Sequence, residues 1–175
     1  MNCMALTELE RMVCEVAAQF PGDLQGLEIP SRALQALAQA LDCTWATYWK
    51  VDAATSTLRA AVCWSTPEFF DVRLRAHTLG RQLSMSEGTA GHVWRSRKPI
   101  WTVNLAMDMC LPRSLDAAHA GLHAGVWFAV KADREVFGVV ELLGRSIPEP
   151  TDELLAATEH VGLSLGALLV GPEIH

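Results

Sequence analysis

One apolar segment with a polar turn at its centre, "GVWFAVKADREVFGVVELLGR" (residues 125–145), constrains the fold more than any other part of the sequence. Two runs of aromatic and β-branched residues flank the turn "KADRE", and this pattern predicts an antiparallel hairpin. The segments "CTWATYWKV" and "LRAAVCW" predict a second hairpin, joined by a loop of five or six residues. Because consecutive strands are joined by hairpins, we expect an antiparallel sheet of five or six strands in an α+β fold.

Helical periodicity occurs at both ends of the chain. Apolar residues at spacings of three and four predict an amphipathic helix within residues 1–28, followed by a linker rich in proline and glycine. A second helix is expected to begin at Ser31 and a long last helix at Thr151. We therefore divide the chain into an N-terminal helix with its linker (1–28) and one domain (29–171).

Shorter elements are predicted in the middle of the chain. The segment "TPEFFDVRLRAHTL" predicts a helix capped by Thr66, and "DAAHAGLHAG" predicts a short helix ended by glycine. Side-chain alternation places Trp45 and Trp49 on the same face of their strand. Glu141 interrupts an apolar strand, so it is expected to meet an arginine or a backbone donor, or to reach the sheet edge, and we expect a structural role for it.

Composition and charge exclude several classes of protein. A formal net charge of −6 without a basic stripe argues against a nucleic-acid surface. No apolar run approaches the ~20 residues that span a bilayer, and "MNCMALTELERMV" lacks the regions of a signal peptide. Five cysteines without a CxxC pair are typical of a reduced chain. We expect a cytoplasmic protein that neither binds nucleic acid nor inserts into a membrane.

The segment "SEGTAGHV" (86–93) carries two glycines three residues apart, ahead of a helix-like run. It lacks the Gly-Lys-Ser/Thr ending of a P-loop, and the sequence shows no serine elbow with a matched histidine and acid. Backbone N–H groups at such a helix start could still meet an anion. Gly88 and Gly91 more simply allow a tight turn without a Cβ clash. We therefore predict a structural role for this turn.

The order of four motifs resembles that of a GAF domain. The motifs are "EGTAGHVWRSRKPIW" (87–101), "DMCLPRSLDAAHAGLHAGVWFAV" (108–130), "GVVELLGR" (138–145) and "PEPTDELLAATEHVGLSLGALL" (148–169). The resemblance covers residues 29–170 and looks closest to GAF modules of bacterial sensor histidine kinases and related signalling proteins. It implies terminal helices on one face of the sheet, with short helices and loops that form a pocket on the other.

The resemblance also implies a function. Such a domain is a non-catalytic sensor in signal transduction, which binds a small cytosolic ligand and relays its state to a signalling output domain or to a kinase of a two-component system. Surplus apolar surface on the helix from Thr7 to Phe20 and on the last helix predicts a homodimer through the terminal helices. The competing expectation is that the first helix folds back on the last within one monomer. The sequence identifies neither the ligand nor a cofactor.

A ligand is expected between the sheet and the irregular, polar segment from residue 101 to 123. Some of the six tryptophans could line a cavity for a flat ligand. The predicted ligand-binding residues are Trp64, Trp101, Asn104, Asp108, Cys110, His119, His123 and Trp127.

A haem- or metal-binding sensor is the first alternative. His119 and His123 lie four residues apart and would share one face of a helix, where they could hold a metal ion or a haem. Gly121 stands between them and is expected to end the helix, which weakens this interpretation. Bilin attachment would need a cysteine where residues 112–114 stand, and it is disfavoured.

A small redox enzyme of the same fold is the second alternative. Free methionine sulfoxide reductases, which the resemblance includes, need cysteines around the glycine turn and the preceding strand. Thr89 and Ala90 occupy that turn, and Cys63 has no obvious resolving partner. We therefore expect that the protein is not an enzyme.

Overall fold

Six strands form one antiparallel sheet in the computed structural model, which describes residues 11, 29, 31–107 and 114–170. The strands are β1 (Trp45–Asp52), β2 (Thr57–Ser65), β3 (Gln82–Leu83), β4 (Ile100–Thr102), β5 (Ala124–Ala132) and β6 (Glu135–Gly144). Their order across the sheet is β3-β2-β1-β6-β5-β4, and each neighbouring pair is antiparallel. The predicted antiparallel sheet and α+β class are confirmed.

Helices lie before, between and after the strands. They are α1 (Ser31–Ala40), α2 (Val72–Leu79), α3 (Gly88–Ser96), α4 (Ser114–His119) and α5 (Asp152–Val170), with a 3-10 turn at Leu105–Met107. As predicted, Thr151 caps α5, since its Oγ1 accepts a hydrogen bond from the Leu154 N–H at 3.2 Å. The predicted helix from Thr7 to Phe20 lies outside the described residues, apart from Arg11.

The start of α2 differs from the prediction. Its N-cap is Asp71, whose Oδ1 accepts a hydrogen bond from the Leu74 N–H at 2.7 Å. Thr66 instead closes a turn, because its carbonyl oxygen accepts from the Phe69 N–H at 3.0 Å. This turn brings the Phe69 ring edge-on to Trp45, with ring centroids 6.2 Å apart. The prediction that Thr66 caps the helix is wrong because this aromatic contact holds the preceding residues in a turn.

The sheet separates two apolar cores. One core, on what we call the terminal-helix face, packs α1 and α5 against strand residues that include Tyr48, Phe128 and Val140. The other core, on what we call the site face, packs α2, α3, the 3-10 turn and α4 against strand residues that include Trp49 and Trp127. Each side of the sheet is thus covered by helices.

Two bulges change which side chains share a face. In β2, Tyr48 is opposite Val62 and Trp49 is opposite Ala60, so Ala61 is an extra residue. In β6, Phe137 is extra, because Val130 is opposite residue 138 and Lys131 is opposite residue 136. Side chains beyond each bulge therefore point to the face opposite to the one that simple alternation predicts.

Both hairpin loops are tight. Asp52 and Thr57 are paired, which leaves the four residues 53–56 in the first loop rather than the five or six predicted. The Asp52 carboxylate shortens the turn by accepting a hydrogen bond from the Ala54 N–H at 3.0 Å. The second loop is the two-residue turn Asp133-Arg134, in which Asp133 has a positive φ of 50°.

Helix α5 packs closely on β5 through two glycines. A Cβ on Gly162 would overlap the Ala129 carbonyl oxygen, and a Cβ on Gly166 would overlap that of Lys131. Among the described residues, α5 is the one helix long and apolar enough to span a bilayer by composition, and 44% of its apolar window is buried in the protein. Packing against the sheet accounts for the apolar character of that buried part.

Candidate functional site

The two glycines in the first turns of α3 have a structural role. Gly88 has a positive φ of 63°, and a Cβ on Gly91 would overlap the Ser84 carbonyl oxygen. The Glu87 carboxylate accepts a hydrogen bond from the Ser84 N–H at 2.8 Å, and this bond lowers the pKa of Glu87. A negative group of the protein itself therefore lies beside the start of α3, where a bound anion would be repelled.

A row of polar side chains crosses the site face. Thr47 of β1 is opposite Cys63 of β2 and also opposite Glu141 of β6, which in turn is opposite Trp127 of β5. We call these four residues the cross-strand row. Because paired residues in an antiparallel sheet lie on the same face, their side chains are neighbours.

Indole N–H groups donate hydrogen bonds to two members of the cross-strand row. The Trp127 indole N–H donates to Glu141 Oε2 at 2.9 Å, and the Trp45 indole N–H donates to Thr47 Oγ1 at 2.8 Å. Glu141 is 1% exposed and Thr47 is 0% exposed. Glu141 lies in a strand near the centre of the sheet, so it does not reach the sheet edge, and one of its partners is the Trp127 indole.

Short helices cover the cross-strand row. They pack on the site face through buried apolar residues, which include Leu74 of α2, Val93 of α3, Leu105 of the 3-10 turn and Ala117 of α4. At the β2 end of the row, Cys63 is only half-buried. The row thus combines a carboxylate, a hydroxyl, a thiol and indole rings under a layer of helices. Three of its four members, Thr47, Glu141 and Trp127, are buried, and Cys63 is its most accessible member.

Two of the predicted ligand-binding tryptophans lie on the other face. Trp64 lies beyond the Ala61 bulge and packs in the terminal-helix core, as does Trp101, which is opposite Val126. The Trp101 indole N–H donates to the Pro148 carbonyl at 2.9 Å. These two residues therefore lie on the face opposite to that of Trp127, and their contact with a ligand stays a prediction.

Three further predicted residues lie at the surface. Asn104 is exposed, and its Oδ1 accepts from the Ala106 N–H at 3.1 Å, so it closes the 3-10 turn. His119 is exposed at the end of α4, and His123 is exposed just before β5. The predicted residues Asp108 and Cys110 lie outside the described residues. Among the predicted set, Trp127 is the residue that the structure places in the cross-strand row.

The shared helix face predicted for His119 and His123 does not form. Helix α4 ends at His119, and Gly121 has a positive φ of 83°, so His119 and His123 do not share a helix face. Within residues 31–107 and 114–170, no group of three or more histidine, cysteine or acidic side chains is placed to hold a metal ion.

An ion pair joins two of the covering helices. His77 of α2 and Asp116 of α4 are 2.6 Å apart (Nδ1 to Oδ2), and an Arg73 guanidinium nitrogen lies 3.6 Å from Asp116 Oδ1. The hydrogen bond from His77 holds the pKa of the Asp116 carboxyl below its usual range, with His77, Arg73 and His119 adding charge attraction. This ion pair joins α4 to α2 above the sheet.

Two surface concavities lie elsewhere among the described residues. One of about 590 Å³ is lined by the β1–β2 hairpin, including Lys50, Asp52 and Arg59. Another, of about 280 Å³, lies at the opposite end of the sheet and includes Thr44, Glu68 and Arg145. Neither is lined by the cross-strand row.

Thr47, Cys63 and Glu141 are not among the ligand-binding residues that the sequence predicts. Glu141 gave the one usable signal, because a carboxylate within an apolar strand is unusual. Its partner could not be identified, since an unbulged hairpin with the same turn would place Trp127 opposite Val140. The Phe137 bulge moves the register by one residue and brings Glu141 opposite Trp127.

Comparisons with solved structures define the class of the fold. A GAF domain of a phosphoenolpyruvate-protein phosphotransferase from Coxiella burnetii is similar, with a TM-score of 0.74, 11% identity and coverage of 94% of both chains. A free methionine-R-sulfoxide reductase from Neisseria meningitidis aligns with a TM-score of 0.65 and 12% identity, over 93% of this chain and 86% of that one. A domain of a two-component sensor histidine kinase protein from Sinorhizobium meliloti aligns with a TM-score of 0.53 and 18% identity, over 76% and 82%. No curated protein sequence matches.

Sequence comparison gives the family. Residues 28–170 match the GAF domain family, so the match covers most of the chain. The chain therefore belongs to the GAF domain family, as its motif order implied. Membership of this family supports a sensory or regulatory role that involves ligand binding.

Proposed function

We propose that this GAF domain is a non-catalytic sensor that binds a small cytosolic molecule on the site face, at the cross-strand row. Helix α5 would then relay the bound state to a signalling output domain or to a kinase of a two-component system in the cytoplasm. The family supports the sensory role, and a histidine kinase protein is among the similar structures.

The observation that carries the proposal is the position of Glu141. A carboxylate within an apolar strand is unusual, because acidic side chains are rarely buried unless they are paired, and the Trp127 indole already donates to this one. Glu141 lies beside the Trp127 indole and near the Thr47 hydroxyl, on the face covered by short helices rather than by the terminal ones. A flat molecule that carries N–H donors or an ammonium group matches this combination of a carboxyl acceptor and aromatic surface.

The described cysteines do not favour a redox enzyme. Cys43 packs in the terminal-helix core, whereas Cys63 lies on the site face opposite Thr47. Burial, with a contribution from Asp42, raises the pKa of the Cys43 thiol to about 12. A thiol that stays protonated is a poor nucleophile, so these two cysteines are poorly suited to catalyse thiol–disulfide chemistry together.

An exposed seam on α5 supports the proposed homodimer. The seam consists of Ala156, His160, Leu163, Ala167 and Val170, which are exposed and alternate at spacings of four and three. Such a pattern forms the contact line between paired helices. A second copy of the chain, related by a two-fold axis, would cover the seam on both molecules.

Native mass spectrometry of the gently purified protein tests the proposed ligand. We expect a retained small molecule, which denaturation releases and which carries N–H or ammonium groups. A crystal structure of that complex should show the molecule in contact with Glu141 or Trp127. A ligand bound only at the β1–β2 hairpin concavity would contradict the assignment of the site.

A further inference from the structure

One stretch of β5 contacts both sides of the protein. Strand β4 pairs with residues 125–127 of β5, so within the described residues no strand pairs with that edge beyond Trp127. Here Ala129 contributes its side chain to the site-face core, while its carbonyl oxygen abuts Gly162 of α5. The Lys131 backbone abuts Gly166 in the same way. A shift of this stretch of β5 would therefore move the Ala129 side chain beneath the short helices and also the backbone atoms that contact α5.

The Lys131 side chain connects the two layers directly. Its ammonium group donates to the Arg97 carbonyl oxygen at 3.1 Å and to Glu159 Oε1 of α5 at 2.8 Å. The Lys131 side chain is 14% exposed, whereas that of Glu159 is 45% exposed. One partly buried charge thus bridges the end of α3, which covers the site face, and α5 on the terminal-helix face.

Several hydrogen bonds hold Arg97 in place at the C-terminal end of α3. It ends α3 in the left-handed conformation, with φ of 60°, and its N–H donates to the Val93 carbonyl at 2.7 Å. Its guanidinium donates to the Arg134 carbonyl in the β5–β6 turn. Because this conformation is uncommon for a residue with a side chain, the surrounding hydrogen bonds maintain it. The bond from Lys131 to the Arg97 carbonyl is one of them.

We propose that Lys131 couples α5 to α3, so that displacement of α5 at Glu159 loosens the C-terminal turn of α3 through the Arg97 carbonyl. By linkage the effect is reciprocal, and a change at α3 alters α5 by the same free energy. This inference rests on the proposed function in that α3 covers the ligand site and α5 carries the signal. Lys131 is a positioning residue for that relay and does not itself touch the ligand.

Hydrogen exchange of the full chain, measured without any ligand, tests the coupling. In Glu159→Gln, which keeps the side-chain shape but removes the charge, we expect amides of Val93–Lys98 to exchange about threefold faster, as loss of a partly exposed ion pair allows. The matched control is Glu153→Gln on the same helix, which should leave Val93–Lys98 unchanged. In a Lys131→Met background, Glu159→Gln should have no further effect on those amides.

Two results would overturn the inference. One is an effect of Glu159→Gln that stays within α5, and the other is an effect on Val93–Lys98 that persists in the Lys131→Met background. If Lys131→Met fails to fold, the comparison of the two glutamate variants still decides between coupling and no coupling. Because no ligand is used, failure of the coupling leaves ligand binding standing. Absence of a ligand equally leaves the coupling standing.

Discussion

Gly162 of α5 lies against the Ala129 carbonyl oxygen of β5 so closely that even a methyl side chain would overlap it. Gly162→Ala should therefore push α5 away from the sheet and lower the free energy of unfolding by about 2 kcal/mol, despite the better helix propensity of alanine. Urea unfolding measures this. The control is Ala76→Ser, which also adds one heavy atom to a helix but at an exposed position of α2 outside the seam. Equal stability of the two variants would contradict the close packing.

The ion pair between His77 and Asp116 predicts a pH-dependent contribution to the free energy of unfolding. The pKa of Asp116 is lowered in the folded state, chiefly by the hydrogen bond from His77. The stabilisation is therefore present above the unfolded-state pKa and is lost as the pH falls through the folded-state pKa. Asp116→Asn should cost about 0.5 kcal/mol near neutral pH.

The same substitution should matter less in acid. The difference in unfolding free energy between wild type and Asp116→Asn is expected to shrink as the pH is lowered from about 5 to about 2. Asp133→Asn, in the exposed β5–β6 turn, is the control and should show no such trend. A difference that stays constant across this range would show that the Asp116 charge does not stabilise the fold.

The two described cysteines should differ in reactivity. With the pKa of Cys43 raised to about 12 by burial, about one thiol in ten thousand is ionised at pH 8. We expect Cys43 to remain unlabelled by N-ethylmaleimide in the native protein, while the half-buried Cys63 is labelled. Peptide mapping by mass spectrometry gives both rates. Labelling of Cys43 as fast as in urea would contradict its placement in the core.

The seam on α5 predicts how the oligomeric state responds to a charge. Leu163 is 43% exposed, so Leu163→Asp should fold normally but dissociate a dimer that uses the seam. Val72→Asp, at an exposed valine of α2, is the matched control and should leave the dimer intact. Light scattering at high micromolar concentration separates the outcomes. A wild-type chain that runs as a monomer would refute the dimer.

A truncated chain that starts at Gly26 separates the roles of the terminal helices. If it is monomeric while the whole chain and Val72→Asp are dimeric, the predicted helix from Thr7 to Phe20 supplies the interface. If the truncated chain is still dimeric, α5 suffices. If the helix from Thr7 to Phe20 instead folds back on α5 within one monomer, its removal would expose α5. The truncated chain would then associate more strongly than the whole chain.

Local patterns in the sequence were sufficient for much of the fold. The apolar runs around residues 131–135 predicted the β5–β6 hairpin, and the shared parity of Trp45 and Trp49 correctly placed both on one face. The periodicity of the last helix and its Thr151 cap were also confirmed. These features depend on neighbouring residues, so the sequence shows them directly.

The candidate site was much less predictable, because it depends on strand register. Two bulges, at Ala61 and Phe137, move Trp64 away from the site face and bring Glu141 opposite Trp127. Neither bulged residue differs from those around it in any way that simple alternation detects. Helix α2 was misplaced for a related reason, since the contact between Phe69 and Trp45 is a tertiary one.

A thermal-shift screen of small metabolites with N–H or ammonium groups, on wild type and Glu141→Gln, tests the central claim most directly. Glutamine keeps the shape and an acceptor for the Trp127 indole, so the variant should fold. We predict that at least one compound, at about a hundred times its Kd, raises the Tm of wild type by about 5 °C. The same compound should stabilise the control Glu149→Gln equally and Glu141→Gln far less. A compound that stabilises Glu141→Gln as much as wild type, or a screen in which none stabilises wild type, would contradict ligand binding at the cross-strand row.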